Sequence, residues 1–165
     1  MKRFLVLLIF STILFSSMTA IVEAQFGFPE NPLVGKQAPD FTLKILNGQE
    51  ASLNQIRGNE GSILLFWATW CPHCRSAVEN LSRMSGELNE KGVKVLLVDL
   101  AEDPQTVKSY VQRNKINFEV FLDEDNFVAE EYGVIGVPTF FLVNKEGVIK
   151  DVGHALPRNY HQLLQ

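Results

Sequence analysis

The chain has 165 residues, 46% of them hydrophobic and 21% charged, enough for one domain with a well-buried core and little more. Its formal charge is −4, and its Lys and Arg residues are scattered rather than clustered. That distribution argues against a nucleic-acid partner and describes an ordinary solvated surface.

Met1-Lys2-Arg3 is a basic start, Phe4 to Phe15 is apolar save for Ser11 and Thr12, and Val22-Glu23-Ala24 offers small residues where a signal peptidase reads. Residues 1–24 therefore read as a signal peptide, with a mature chain from near Gln25. The same segment also reads as an uncleaved anchor. Phe4 to Val22 is 19 residues without a charge, close to the roughly 20 that span a bilayer. Contact with a membrane is expected only in that second case. No cysteine lies near the segment's end, so a lipid-modified N-terminus is not expected. Either reading places the domain outside the cytoplasm, in the periplasm or cell envelope. Removal of Lys2, Arg3 and Glu23 takes the formal charge from −4 to about −5.

Residues 25–36 hold Phe26, Gly27, Phe28, Pro29, Pro32 and Gly35 with no period of two or 3.6, and read as a linker into a domain spanning 37–165. Phe41-Thr42-Leu43 and Ala51-Ser52-Leu53 are short strands around Asn47-Gly48, a strong hairpin signal. Ser62 to Trp67 is almost wholly apolar, as a strand buried on both faces would be. Pro72 to about Asn89 is a helix, with Val78, Leu81, Met84 and Leu88 supplying a buried stripe at three- and four-residue steps. A strand over Val93 to Leu100 and a helix over Glu102 to Lys115 follow, Pro104 in the helix's first turn. Glu119 to Leu122 is a third short strand, and Phe127 to Tyr132 a short helix ending at Gly133. Thr139 to Val143 and Val148 to Val152 form an antiparallel hairpin across Asn144-Lys145-Glu146-Gly147, and Pro157 to Leu164 closes the chain as a helix. Strands alternating with helices, then a hairpin and a helix, predict an α/β sheet with helices on both faces.

Both cysteines of the chain, Cys71 and Cys74, lie in "FWATWCPHC". A zinc site needs two more ligands at ligand spacing, and His73, His154 and His161 do not supply it. Haem attachment needs a histidine where Arg75 stands, and a plain staple across so small a loop would constrain the unfolded chain little. A redox pair fits better. Cys71 falls at the N-cap of a helix whose first residue is Pro72. Free N–H groups and the helix dipole there favour a thiolate, which makes Cys71 the nucleophile. Cys74 stands one turn on, with Cα atoms about 5 to 6 Å apart, within disulfide range. It should be the more buried, resolving thiol.

"GKQAPDFTL", "LLFWATWCPHC" and "GVPTFFLVNKEG", in this spacing, resemble the extracytoplasmic thioredoxin-like proteins of the TlpA/ResA type from Leu33 to about Leu164. The resemblance implies a thioredoxin-like fold: a central mixed sheet with helices on both faces and an N-terminal strand extension. It also implies thiol–disulfide exchange through a redox-active Cys71–Cys74 disulfide, with no other cofactor and no metal. Partners would be protein thiols and disulfides together with a membrane redox partner, and cytochrome c maturation or envelope disulfide control the setting. By the same likeness Val137-Pro138, which places Pro138 64 residues beyond Cys74, is a cis-proline loop packed beside the disulfide. The backbone of Val137 is then free to pair with an extended substrate segment. Trp70, Pro72, Ile135 and Val137 would supply apolar surface around Cys71, although Ile135 reads as readily as a plain core residue.

The chain departs from its relatives at the proton-transfer positions. The carboxylate found six residues before the first cysteine in many thioredoxin-like proteins is Leu65 here, and the glutamate three residues after the second is Ala77. No buried base is evident, which leaves water or His73 to handle the Cys74 proton. Pro72-His73 is the dipeptide of DsbA-type oxidants, in which an imidazole bonded to the Cys71 thiolate stabilises the reduced form. Couples of this kind span about 150 mV, or about 7 kcal/mol, so two residues suffice to reverse the direction. The dipeptide points to an oxidant and the family resemblance to a reductant.

Three rivals remain open. "APDFTL" also occurs in peroxiredoxins, but their peroxide pocket needs Pro and Thr or Ser where Leu64 and Ala68 stand. A Sco-type copper carrier would use Cys71, Cys74 and His154 on Cu(I), although that family keeps three residues between its cysteines. A holdase using the Val137-Pro138 groove is the third.

Overall fold

A computed structural model describes residues 31–165 of the chain. The expected signal peptide or anchor at 1–24, and the expected linker as far as residue 30, lie outside the described residues. The remaining part of that linker is docked on the domain. Gly35 N–H donates to Ile149 O at 2.8 Å, Ile149 N–H to Lys36 O at 2.8 Å, and Asn31 Nδ2 to Tyr132 O at 3.0 Å. Leu33 and Val34 pack against the core, so the described part of the expected linker lies in the same compact unit as the domain.

Seven strands form one mixed sheet: β1 (Thr42–Ile45), β2 (Glu50–Ser52), β3 (Gly61–Trp67), β4 (Val93–Leu100), β5 (Glu119–Asp123), β6 (Thr139–Asn144) and β7 (Ile149–Gly153), in the order β2-β1-β5-β4-β3-β6-β7. β3, β4 and β5 are parallel, while the pairs β2–β1, β1–β5, β3–β6 and β6–β7 are antiparallel. The β1–β2 hairpin at one edge is the expected N-terminal extension. Its loop turns at Gly48, whose φ of +88° is left-handed, where a side chain would be strained.

Among the described residues the helices are α1 (Leu53–Ile56), α2 (Pro72–Glu90), α3 (Pro104–Arg113), α4 (Phe127–Glu131) and α5 (Tyr160–Leu163). Every residue of β3 is buried, as its unbroken apolar run requires, because helices cover both faces. Ile63, Leu65 and Trp67 face α2, α3 and α5, whereas Leu64 and Phe66 face α1 and α4. α2 buries Cys74, Val78, Leu81 and Leu88, the predicted stripe with Met84 half-buried beside it, and ends before Gly92 at φ +69°. α3 runs from the Asp103 cap, whose carboxylate accepts from the Gln105 and Thr106 N–H groups, and is shorter at both ends than its periodicity predicts. α1 was not predicted. Ser52 and Gln55 form a capping box that turns the end of β2 into a helical turn. The C-terminal segment enters through a turn at Pro157, so α5 is a single turn. Among the described residues no helix is long and apolar enough to cross a membrane.

Candidate active site

β3 carries the chain to the end of the parallel strands at Trp67, and Ala68-Thr69-Trp70 turns it into α2. Cys71 is the helix N-cap, extended at φ −80° and ψ 115°, with Pro72 at the first helical position. Its Sγ accepts from the Cys74 N–H at 3.2 Å, taking the place of a capping oxygen, and its thiol donates weakly to Val137 O at 3.7 Å. Both cysteines are free thiols here. Cys71 is 4% exposed and Cys74 not at all. Burial pushes the Cys74 thiol up to about 12, with the Cys71 sulfur beside it adding to the effect. The buried thiol keeps its proton and the helix N-terminus faces the other sulfur, an asymmetry suited to one attacking and one resolving group.

The Val137–Pro138 bond is cis, as the resemblance implied. Among the described residues the Val137 N–H has no backbone partner, so one peptide edge beside Cys71 is open for pairing. Trp70, 66% exposed, and the exposed Pro72 flank the sulfur. Ile135 is 96% exposed, which overturns its reading as a core residue. It stands two residues before Val137 in the chain.

His73 is exposed on the first turn of α2. Among the described residues no hydrogen bond joins it to either sulfur, so the expected bond to Cys71 is not formed. His154 is tied to the cis-proline loop. Its Nδ1 lies 2.8 Å from Pro138 O, which can only accept, so Nδ1 carries the proton. Among the described residues His154 and the two cysteines do not form a ligand cluster.

A buried carboxyl group that the sequence reading did not find lies under the loop before Cys71. Asp99, 1% exposed, stands opposite Trp67 in the β3–β4 register, and Ala101 just beyond takes a left-handed φ of +53°. Glu102 then reaches back to Thr69, accepting from its N–H at 2.5 Å and from its hydroxyl at 2.6 Å. Arg75 Nη1 donates to Thr69 O at 3.2 Å. These bonds hold the entry to the cysteine pair from both sides. Burial first, and then the adjacent Glu102 carboxylate, push the Asp99 carboxyl up to about 8. A lone aspartate at an inward position of the apolar run VKVLLVDL was the available signal.

The AhpC/TSA family matches residues 34–152. A thiol-disulfide oxidoreductase ResA of Bacillus cereus is 32% identical over 133 residues, 80% of this chain and 76% of its own length. Among solved structures, StoA of Bacillus subtilis matches with a TM-score of 0.62 at 28% identity, over 81% of this chain and 97% of its own. A Chlorobium tepidum protein described as a thiol:disulfide interchange protein DsbE matches with a TM-score of 0.69 at 25% identity, over 84% of this chain and 94% of its own. With a cysteine pair at a helix N-terminus and a cis-proline beside it on a thioredoxin-like sheet, the chain belongs to the AhpC/TSA family as a thiol-disulfide oxidoreductase of the ResA type.

Proposed function

We propose that this enzyme works outside the cytoplasm as a reductant of protein disulfides, in cytochrome c maturation or envelope disulfide control. Cys71 is the attacking thiolate, Cys74 the resolving thiol, and their disulfide the oxidised state. The observation that carries this reading is the Cys71 sulfur at the N-cap of α2, 3.2 Å from the Cys74 amide, with Cys74 fully buried behind it. The missing His73–Cys71 bond favours the reducing direction, since that bond is what the oxidant reading required.

The steps balance as follows. The Cys71 thiolate attacks one sulfur of a substrate disulfide, forming a mixed disulfide and releasing the other substrate sulfur as a thiolate. Cys74, held protonated until then, loses its proton to water or His73 and attacks the Cys71 sulfur. The Cys71–Cys74 bond forms and the second substrate sulfur leaves, so two electrons have passed to the substrate. Trp70, Pro72 and Val137 seat the substrate and Pro138 fixes the loop against Cys71. A dithiol partner at the membrane restores the reduced pair.

The test is the potential of the Cys71–Cys74 couple equilibrated against glutathione. A value below the range of about −220 to −260 mV expected of a glutathione poise supports a reductant. A value near about −120 mV, that of a strong oxidant, overturns it.

A further inference from the structure

Beside the cysteine pair a groove of about 1040 Å³ runs between α2 and the segment that leads from β7 to α5. It is at the upper limit of small-molecule sites and open to solvent, a size that suits a stretch of chain. It begins at Val137 and Pro138, so it continues the surface on which a substrate would pair. Its floor is apolar, formed by Met84, Phe140, Leu156 and Pro157.

The charge along its edges is one-sided. His73 and Arg83 border it from α2, His154 and Arg158 from the opposite side. No Asp or Glu lines it, in a chain whose 19 acidic residues outnumber 15 basic ones. Arg83 is partly compensated, since its Nη1 lies 2.8 Å from Glu79 Oε1 and its Nη2 bonds Asn80. Arg158 has no ion pair among the described residues and is exposed. A cation left free at the edge of an apolar trough favours an anionic group brought alongside it.

We infer that this groove selects extended polypeptide substrates carrying carboxylate side chains a few residues from the reactive cysteine. The inference rests on the proposed exchange reaction at Cys71 and names its substrate class. Backbone pairing at Val137 aligns the segment, apolar side chains fill the trough, and the carboxylate meets Arg158 on its edge.

The test uses three disulfide-linked peptides of equal length whose flanking residues are acidic, neutral or basic. Reduction by the full-length protein is followed at low and at high salt. The acidic peptide should show about 5-fold higher kcat/KM than the basic one, the upper end of what a single exposed ion pair supplies, carried in KM and lost at 1 M salt. Arg158→Glu should reverse the order and Arg158→Lys should keep it. Equal rates for the acidic and basic peptides at low salt, or an order that Arg158→Glu leaves intact, overturn the inference while exchange itself stands. Failure to reduce any of the three overturns the proposed function, and this inference with it.

Discussion

The two faces of the sheet are built on different plans. The face under α1 and α4 is sealed by aromatic rings. Phe41, Phe66, Phe121, Tyr132 and Phe141 meet at centroid distances of 5.0 to 6.0 Å, mostly edge to face. Its one buried phenol is satisfied, Tyr132 donating to Pro39 O at 2.6 Å. The face under α2 and α3 is largely aliphatic and holds both cysteines and Asp99, and among the described residues Trp67 Nε1 and Asp99 Oδ2 have no hydrogen-bond partner. Unsatisfied buried polar atoms are costly and concentrate where a protein does chemistry. One face is a closed aromatic core, while the other carries the reacting sulfurs and the buried carboxyl group beside them.

The largest effect that separates the faces comes from the sulfurs themselves. Cys71→Ala should abolish exchange, and Cys74→Ala should accumulate a mixed disulfide through Cys71, detected by mass on a non-reducing gel. Retained turnover in the Cys71 variant, or alkylation of Cys74 in preference to Cys71 in the native protein, would reverse the assigned roles.

On the other face Phe121→Ala should destabilise the fold by about 3–5 kcal/mol, because the ring is fully buried between Phe41 and its neighbours. Urea unfolding measures the loss, and activity per folded molecule should stay near that of the native protein. A variant that unfolds normally yet loses exchange would mean that the faces are coupled.

The sequence announced most of this division through periodicity and punctuation. The unbroken run of β3, the stripe of α2 and the proline that starts it placed the cysteine pair at the end of the sheet. Two things were hidden. The Ser52–Gln55 capping box was written in the sequence, but the β-like triplet before it drew the reading toward a strand. The clamp of Glu102 on Thr69 joins residues 33 positions apart and depends on a left-handed turn at Ala101, a residue with no intrinsic preference for one. Ile135 misled for a simpler reason, since a β-branched apolar residue usually reports burial and here reports a surface beside the site.

Asp99 offers a smaller effect confined to the cysteine-bearing face. Its ordinary value is 3.8, and in the fold it is pushed up to about 8, first by burial and then by Glu102. The unfolded chain therefore releases this proton from about pH 4 upward while the folded chain holds it until about pH 8. Its stabilising contribution is complete below about pH 4 and is lost as the pH rises toward 8. Asp99→Asn removes that dependence. It should be more stable at pH 8 by on the order of 1–3 kcal/mol, with little gain at pH 4.5. Urea midpoints for both proteins across that interval decide it, and parallel pH profiles would mean that Asp99 ionises freely.

The smallest expected effect is at His73, which also decides the direction of electron flow. If the imidazole stabilised the Cys71 thiolate, His73→Pro would make the potential more negative by about 60 mV, or about 2.8 kcal/mol, the size of one good hydrogen bond to a charge. In the structure the ring is exposed and no bond reaches the sulfur, whose amide partner is Cys74 instead. The substitution also leaves the Cys74 N–H in place, so the cap on Cys71 survives it. The expected shift is therefore under about 30 mV, or about 1.4 kcal/mol. Both proteins are equilibrated with glutathione and the oxidised fraction is read after acid quench. A shift of 60 mV or more would show that the imidazole swings onto the thiolate in solution, and the reducing assignment would then give way to an oxidant tuned by His73.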